Sequence, residues 1–195
     1  MQVAIIDYGA GNIKSLQFSL DRLGVNSRVT GDPEEISSAD RVIFPGQGAA
    51  KSAMEKLQKN SLEILIPQLK QPVLGICLGM QLLCSFTEEG RVNGLGIIPA
   101  TVSRFSDSVK VPQMGWNTIN NLQTSLFKGV DQGEFMYLVH SYFVPILSET
   151  IATTYYNGDY SVAVQKDNFF GVQFHPEKSS KAGQQILHNF LTQIL

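Results

Sequence analysis

The sequence predicts an α/β fold: a central, mostly parallel sheet flanked by helices, with an added antiparallel portion. Three observations predict it. Apolar strand-like runs alternate with amphipathic helical spacing from Val3 to Cys77, the β-α-β-α rhythm of a doubly wound sheet. Three glycine-bearing loops, 7–12, 45–48 and 75–79, fall at the carboxyl ends of predicted strands, where ligands sit in open α/β sheets. After Gly90, helical spacing gives way to short strands parted by turn residues, until a last amphipathic helix.

In order, Val3 to Ile6 is a short apolar strand that ends in Asp7-Tyr8-Gly9-Ala10-Gly11-Asn12. Ile13, Leu16, Leu20 and Leu23 form one stripe of a helix that Gly24 stops. Val25 to Thr30 is a second strand. Arg41 to Phe44 is a third, entering the loop Pro45-Gly46-Gln47-Gly48. Helices are expected over 49–57 and 61–69, a strand over 72–76, and a helical stretch from Leu78 to Phe86. Strands then follow over 97–105, 109–111, 118–119, 134–139, 151–156, 161–165 and 169–174. Asn157-Gly158 is a hairpin signal between two of them. This half is expected to be antiparallel, and 182–195 to be the closing helix.

The 195 residues suit a single domain over 1–195, with no repeat, low-complexity segment or linker. The balance of 43% apolar and 16% charged residues is that of a globular chain with a large core. A net charge of -2 without a Lys/Arg cluster argues against nucleic acid and anionic membrane as partners. No apolar run approaches the ~20 residues that span a bilayer, and the N-terminus has no signal-peptide pattern. Cys77 and Cys84, seven apart on one expected helix, would lie ~10 Å apart, too far for a disulfide. A reducing cytoplasm follows.

The richest motif is Gly75-Ile76-Cys77-Leu78-Gly79. A strand runs into a cysteine, a helix leaves it, and glycines flank it at two residues on either side. This is the nucleophile elbow with sulfur in place of a hydroxyl. The turn raises the sulfur above the sheet, and the helix start favours a thiolate. Such a nucleophile needs a base and an orienting group. Of the three histidines, His188 lies within the last helix, whereas His175 ends a strand and begins His175-Pro176-Glu177. Pro176 holds His175 extended, so residues 175 and 177 point to one side and the carboxylate can orient the imidazole. The Pro45-Gly46-Gln47-Gly48 loop could supply a second N–H beside that of Leu78 to bind an oxyanion.

Together these residues resemble the class I (triad) glutamine amidotransferases over essentially the whole chain. The landmarks occur in order: P-G-x-G at Pro45 to Gly48, G-x-C-x-G-x-Q at Gly75 to Gln81, Ser141-Tyr142, and Q-F-H-P-E at Gln173 to Glu177. Asp7 to Ile13, Pro112-Gln113-Met114-Gly115-Trp116-Asn117 and His175 to Ser180 look like the branch that serves imidazole glycerol phosphate synthase. That branch more often carries His where this chain has Gln113, and an apolar residue where it has Gln47.

The resemblance implies a three-layer, flavodoxin-like fold and hydrolysis of L-glutamine by Cys77, His175 and Glu177, with no metal and no cofactor. It implies an oxyanion hole from Leu78 and from Gly46, Gln47 or Gly48. Gln81 and Glu89 would contact the substrate, with Ser141 and Tyr142 clasping its amino-acid end through backbone groups. A solvated acid beside Glu88 is the other reading of Glu89. The ammonia would pass to a (β/α)8 barrel cyclase subunit bound as a heterodimer, with Asn12, Met114, Trp116, Tyr142 and Lys178 toward it. Trp116 is either that interface anchor or a core aromatic, and Lys178 either a surface lysine or part of the signal between sites. Three rivals share part of the pattern: a glutaminase serving another synthase, a cysteine hydrolase on the same fold, and a nucleotide-binding module. The last is weakened because the third glycine of its fingerprint falls at Lys14.

Overall fold

The computed structural model describes residues 1–9 and 13–194. Its strands are β1 (Val3–Ile6), β2 (Ser27–Thr30), β3 (Arg41–Gly46), β4 (Val73–Cys77), β5 (Cys84–Thr87), β6 (Val92–Asn93), β7 (Ile98–Arg104), β8 (Gln113–Ile119), β9 (Glu134–His140), β10 (Tyr142–Phe143), β11 (Thr150–Tyr155), β12 (Asp159–Lys166) and β13 (Phe169–Val172). The helices are α1 (Ile13–Arg22), α2 (Pro33–Ser38), α3 (Ala50–Lys59), α4 (Leu62–Leu65), α5 (Leu78–Leu83) and α6 (Ser180–Thr192).

The main sheet runs β11-β12-β13-β4-β3-β1-β2. From β13 to β2 all neighbours are parallel, while β12 is antiparallel to both β11 and β13. β1 and β4 are buried at every position, the pattern of strands covered on both faces. Two apolar clusters form those covers. One joins α1 and α6 to Val3, Ile5, Ile43 and Leu74, and the other joins α3, α4 and α5 to Ala4, Ile6, Val42 and Val73. Alternate residues of the same strands thus feed opposite layers. The mostly parallel sheet flanked by helices is the one the sequence predicts.

Several expectations are corrected. β3 runs two residues further, pairing Pro45 with Ile76 and Gly46 with Cys77, so half of the expected 45–48 loop is strand. Helix α5 stops at Leu83 and Cys84 opens β5, so the two cysteines do not share a helix; both are free. The later half is not wholly antiparallel, since β13 lies parallel to β4 and β7 parallel to β5. Residues 109–111 are not a strand, whereas β8 starts at Gln113, five residues before the expected one. Helix α2 was not anticipated from its single buried apolar residue, Ile36. Its cap is nonetheless written in the sequence: Asp32 accepts from the N–H groups of Glu34 and Glu35, and Pro33 opens the helix. The Asn157-Gly158 hairpin forms as expected between β11 and β12, with both residues at positive φ.

Candidate active site

Cys77 is the last residue of β4 and the residue before α5, with φ 54° and ψ -109°. An L-residue is strained there, and the packing around it explains why the conformation is kept. A Cβ on Gly79 would overlap the Phe44 carbonyl oxygen, and one on Gly46 would lie 2.6 Å from Gly79 N. A Cβ on Gly75 would meet Gly79 C and Met80 N at 2.9 Å. With three hydrogens in place of three methyl groups, the end of β3, the end of β4 and the first turn of α5 close on one another. The chain can then leave Cys77 only by the sharp turn.

A cavity of about 450 Å³ opens in front of the sulfur. Its wall holds Cys77, Leu78, Gln81, Glu89, Ser141, Tyr142 and His175, and the exposed Gln47 and Gly48 form a rim. Gly46 and Glu177 are absent from that wall. They lie behind it, around a second, water-sized void shared with Leu16, Pro45, Ile76 and His175.

His175 is 3% exposed and extended, with φ -96° and ψ 96°, and its Nδ1 lies 2.9 Å from Glu177 Oε1. Burial alone would push the ring's pKa down; the neighbouring Cys77 sulfur and Glu177 carboxylate outweigh it and raise it to about 10. The turn that presents the ring is held from both sides. His175 N–H donates to the Tyr137 carbonyl at 2.9 Å. The fully buried Ser179 donates its hydroxyl to the His175 carbonyl at 2.6 Å and accepts from Tyr137 N–H at 2.9 Å. Sequence reasoning did not single out Ser179.

The polar residues around the sulfur are tied together. Gln81 Nε2 donates to the Tyr142 carbonyl and to Gln173 Oε1, each at 2.9 Å. Cys77 Sγ lies 3.7 Å from Gln173 Nε2 and 3.8 Å from the Val139 carbonyl. His140 Nδ1 also reaches the Tyr142 carbonyl, at 2.7 Å, while its Nε2 is 3.1 Å from the Tyr160 hydroxyl. That hydroxyl also lies 2.8 Å from the Gln113 side-chain amide. Burial lowers the His140 pKa to about 4, against the raising effect of the Tyr142 carbonyl and with a further lowering from His175. Gln173, His140 and Tyr160 were missed as site residues. A signal for Gln173 was present: in an extended run it shares a side with His175, two positions on.

Other expected contacts are modified. The Ser141 carbonyl accepts from Phe105 N–H and the Tyr142 carbonyl from Gln81 and His140, so both carbonyls are already engaged within the fold. One oxygen of Glu89 accepts from Ala50 N–H at 3.0 Å, which fastens the start of α3 just after Gly48. Burial raises the Glu89 carboxyl, and that hydrogen bond offsets part of the rise. Met114 and Trp116 are outside the cavity, 63% and 53% exposed on the outer face of the β8–β9 hairpin. Trp116 is therefore not a core aromatic. Phe135, unremarked in the sequence, is 53% exposed on the same face. Lys178 Nζ stands 5.9 Å above the Tyr137 ring, which meets Trp116 edge-on at 6.0 Å. Asn12 falls outside the described residues. No grouping of His, Cys, Asp and Glu suited to a metal occurs among the described residues, and no helix there is long and apolar enough to cross a membrane.

Comparison with known proteins decides among the rivals. The family model for glutamine amidotransferase class-I matches residues 4–194. This chain belongs to the class I glutamine amidotransferase family. Among amidotransferases it is 53% identical over 194 residues to the imidazole glycerol phosphate synthase subunit HisH of Bacteroides fragilis, covering 98% of this chain and 99% of that one. It is 48% identical over 193 residues to the HisH subunit of Archaeoglobus fulgidus, covering 97% of each. At this identity and coverage the chain falls in the HisH branch, a glutamine-hydrolysing enzyme subunit. Solved amidotransferase folds superpose at low identity. A putative GMP synthase protein from Thermoplasma acidophilum aligns with TM-score 0.76 and 20% identity, over 98% of this chain and 92% of that one. PurLQS from Thermotoga maritima gives 0.75 and 15%, over 100% of this chain and 99% of that one.

Proposed function

We propose that this amidotransferase, acting as one domain over 1–195, supplies ammonia from L-glutamine to the cyclase subunit of imidazole glycerol phosphate synthase. The pair would be a cytoplasmic heterodimer working in histidine biosynthesis. The observation that carries the reading is the elbow. It sets Cys77 at φ 54° on the wall of a cavity of about 450 Å³, beside an imidazole whose far nitrogen is held by Glu177.

The thiolate of Cys77 attacks the side-chain carboxamide carbon, and the carbonyl π electrons move to oxygen. Leu78 N–H and an N–H from the 46–48 segment receive that charge. The C–N bond breaks as His175 gives its proton to the leaving nitrogen, and ammonia departs from a γ-glutamyl thioester. Water then gives a proton to His175 and adds its hydroxide to the thioester carbon. Breaking the C–S bond returns the thiolate and releases glutamate. Glu177 keeps the imidazole oriented and stabilises its charged form. The free oxygen of Glu89 receives the substrate ammonium, backbone groups of Ser141 and Tyr142 meet its carboxylate, and the Gln81 carbonyl faces the bound amide.

Ammonia is protonated in water near neutral pH, so its consumer must dock close by. The apolar face of Met114, Trp116 and Phe135 supports that role. Its strand β9 ends at Val139 and His140 on the cavity wall, so one hairpin carries both surfaces. Lys178, over the Tyr137 ring that meets Trp116, is assigned to the same side. The test is glutamate release by the chain alone and with the barrel cyclase and its nucleotide ligand. Addition is expected to raise the rate by orders of magnitude, and Cys77→Ala to abolish it in both conditions while leaving the melting temperature in place. Full activity of Cys77→Ala would refute the chemistry; an unchanged rate on addition would refute the partner.

A further inference from the structure

The buried glutamine two residues before the triad histidine has no part in the mechanism above, yet it touches the reacting sulfur. Gln173 is 0% exposed. Which end of its amide meets Cys77 follows from the hydrogen bonds. A backbone carbonyl can only accept, so at the Tyr142 carbonyl Gln81 must present its NH2 group. The second hydrogen of that NH2 goes to Gln173, which therefore turns its oxygen toward Gln81. The Gln173 NH2 is left directed at Cys77 Sγ, 3.7 Å away. A single acceptor on the backbone thus sets the polarity of the whole chain, from Tyr142 through Gln81 and Gln173 to the sulfur.

A donor of fixed polarity distinguishes the two forms of the nucleophile. The neutral thiol gains a weak contact, and its S–H has the Val139 carbonyl as acceptor at 3.8 Å. The thiolate gains a charge-assisted hydrogen bond, roughly twice as strong as a neutral one, from an amide that is itself 0% exposed. We infer that Gln173 binds the Cys77 thiolate through its side-chain N–H, and that Gln81 is the positioning residue that aims it. The inference rests on Cys77 being the nucleophile. It deepens that reading by assigning a third device to the sulfur, beside the helix start and His175. It also gives Gln81 two tasks, one toward the substrate and one toward the thiolate.

The experiment reads ionisation, not turnover, so it fails or succeeds independently of the glutaminase assay. Alkylation of the whole protein by iodoacetamide is followed by mass spectrometry from pH 5 to pH 10. Cys84, 0% exposed with its thiol pushed up to about 12 by burial, is the internal monitor of folding. Gln173→Met keeps length and apolar packing and removes the donor. Its Cys77 alkylation midpoint is expected to move up by about 1 pH unit, slowing the reaction about tenfold below the midpoint. The rate for the fully ionised sulfur should stay within about twofold. Protected Cys84 with an unmoved midpoint overturns the inference. Should Cys84 also react, the variant has opened, and the decision passes to the unsubstituted chain. There the 15N side-chain resonance of Gln173 is expected to titrate with the Cys77 midpoint and to lose that step in Cys77→Ala. A resonance indifferent to the sulfur overturns the assignment.

Discussion

His140 gives a pH dependence of stability with a definite sign. The ring is buried, and its charged form is opposed by desolvation and by the neighbouring His175. The Tyr142 carbonyl on Nδ1 offsets this only in part, and no carboxylate is among the causes of its shift. Its folded value of about 4 lies below the 6.5 of an unfolded histidine. Between those values the unfolded chain binds a proton that the folded chain refuses. Stability therefore falls as pH drops from 6.5 toward 4 and is unaffected by this group above 6.5. The interval of ~2.5 pH units, at 1.36 kcal/mol each, corresponds to about 3 kcal/mol when fully developed. Most of that, roughly 2–3 kcal/mol, is reached by pH 4.5. The perturbation is His140→Gln, which keeps a polar group near the Tyr142 carbonyl and does not titrate. Urea unfolding of both proteins at pH 7, 6, 5 and 4.5 is the assay, because carboxylates common to the two cancel in their difference. The native chain should lose about 2–3 kcal/mol more than the variant between pH 7 and 4.5. Parallel loss in both proteins would show that His140 is charged in the fold and refute the reasoning.

Two further outcomes are expected. Gly79→Ala places a methyl group against the Phe44 carbonyl, which is backbone and cannot swing aside. Overpacking of this kind costs about 3 kcal/mol or more, so denaturant unfolding should show a large loss and glutamate release should fall with it; near-native stability would mean that the elbow is looser than its glycines indicate. Trp116→Ala should weaken cyclase binding, measured by calorimetry, by about 2 kcal/mol, roughly thirtyfold in Kd. The exposed ring holds little of the fold, so the melting temperature of the isolated chain should hardly move, and unaltered affinity would remove Trp116 from the interface.

Much of the first half was legible because its strands obey one physical rule. Val3–Ile6 and Val73–Ile76 are covered on both faces and read as unbroken apolar runs. The elbow was legible for a related reason: glycines spaced about a cysteine have few other uses than a turn too tight for side chains. What misled was patterning set by something other than the core. At the start of β8 the exposed positions are Met114 and Trp116 while Gln113 is buried, the reverse of the usual alternation. The apolar residues face outward, and the inward amide meets Tyr160. Local pattern also cannot rank a helix against a strand over a short apolar run, so Cys84 to Phe86 was assigned to α5 although it pairs with β7. Nor could it disclose the Gln81–Gln173 pair, whose members are 92 residues apart.

Two histidines line this cavity, and their surroundings decide which one works. His140 and His175 have similar burial, 6% and 3% exposed, and the charge on His175 opposes one on His140. Desolvation acts against the imidazolium form of both. Only His175 has a carboxylate on Nδ1 and a sulfur beside the ring, and its pKa moves up to about 10. His140 has a carbonyl and a hydroxyl in those places, and its pKa moves down to about 4. Environments that drive two like groups apart assign their roles. In the proposed mechanism one positive charge in the cavity then suffices: it stays at His175, where it can pair with the thiolate and later pass to departing ammonia. A second charge at His140 would repel it and disturb the Tyr142 carbonyl, on which the orientation of Gln81 depends. The neutrality of His140 is therefore a condition for the proton to be available at His175.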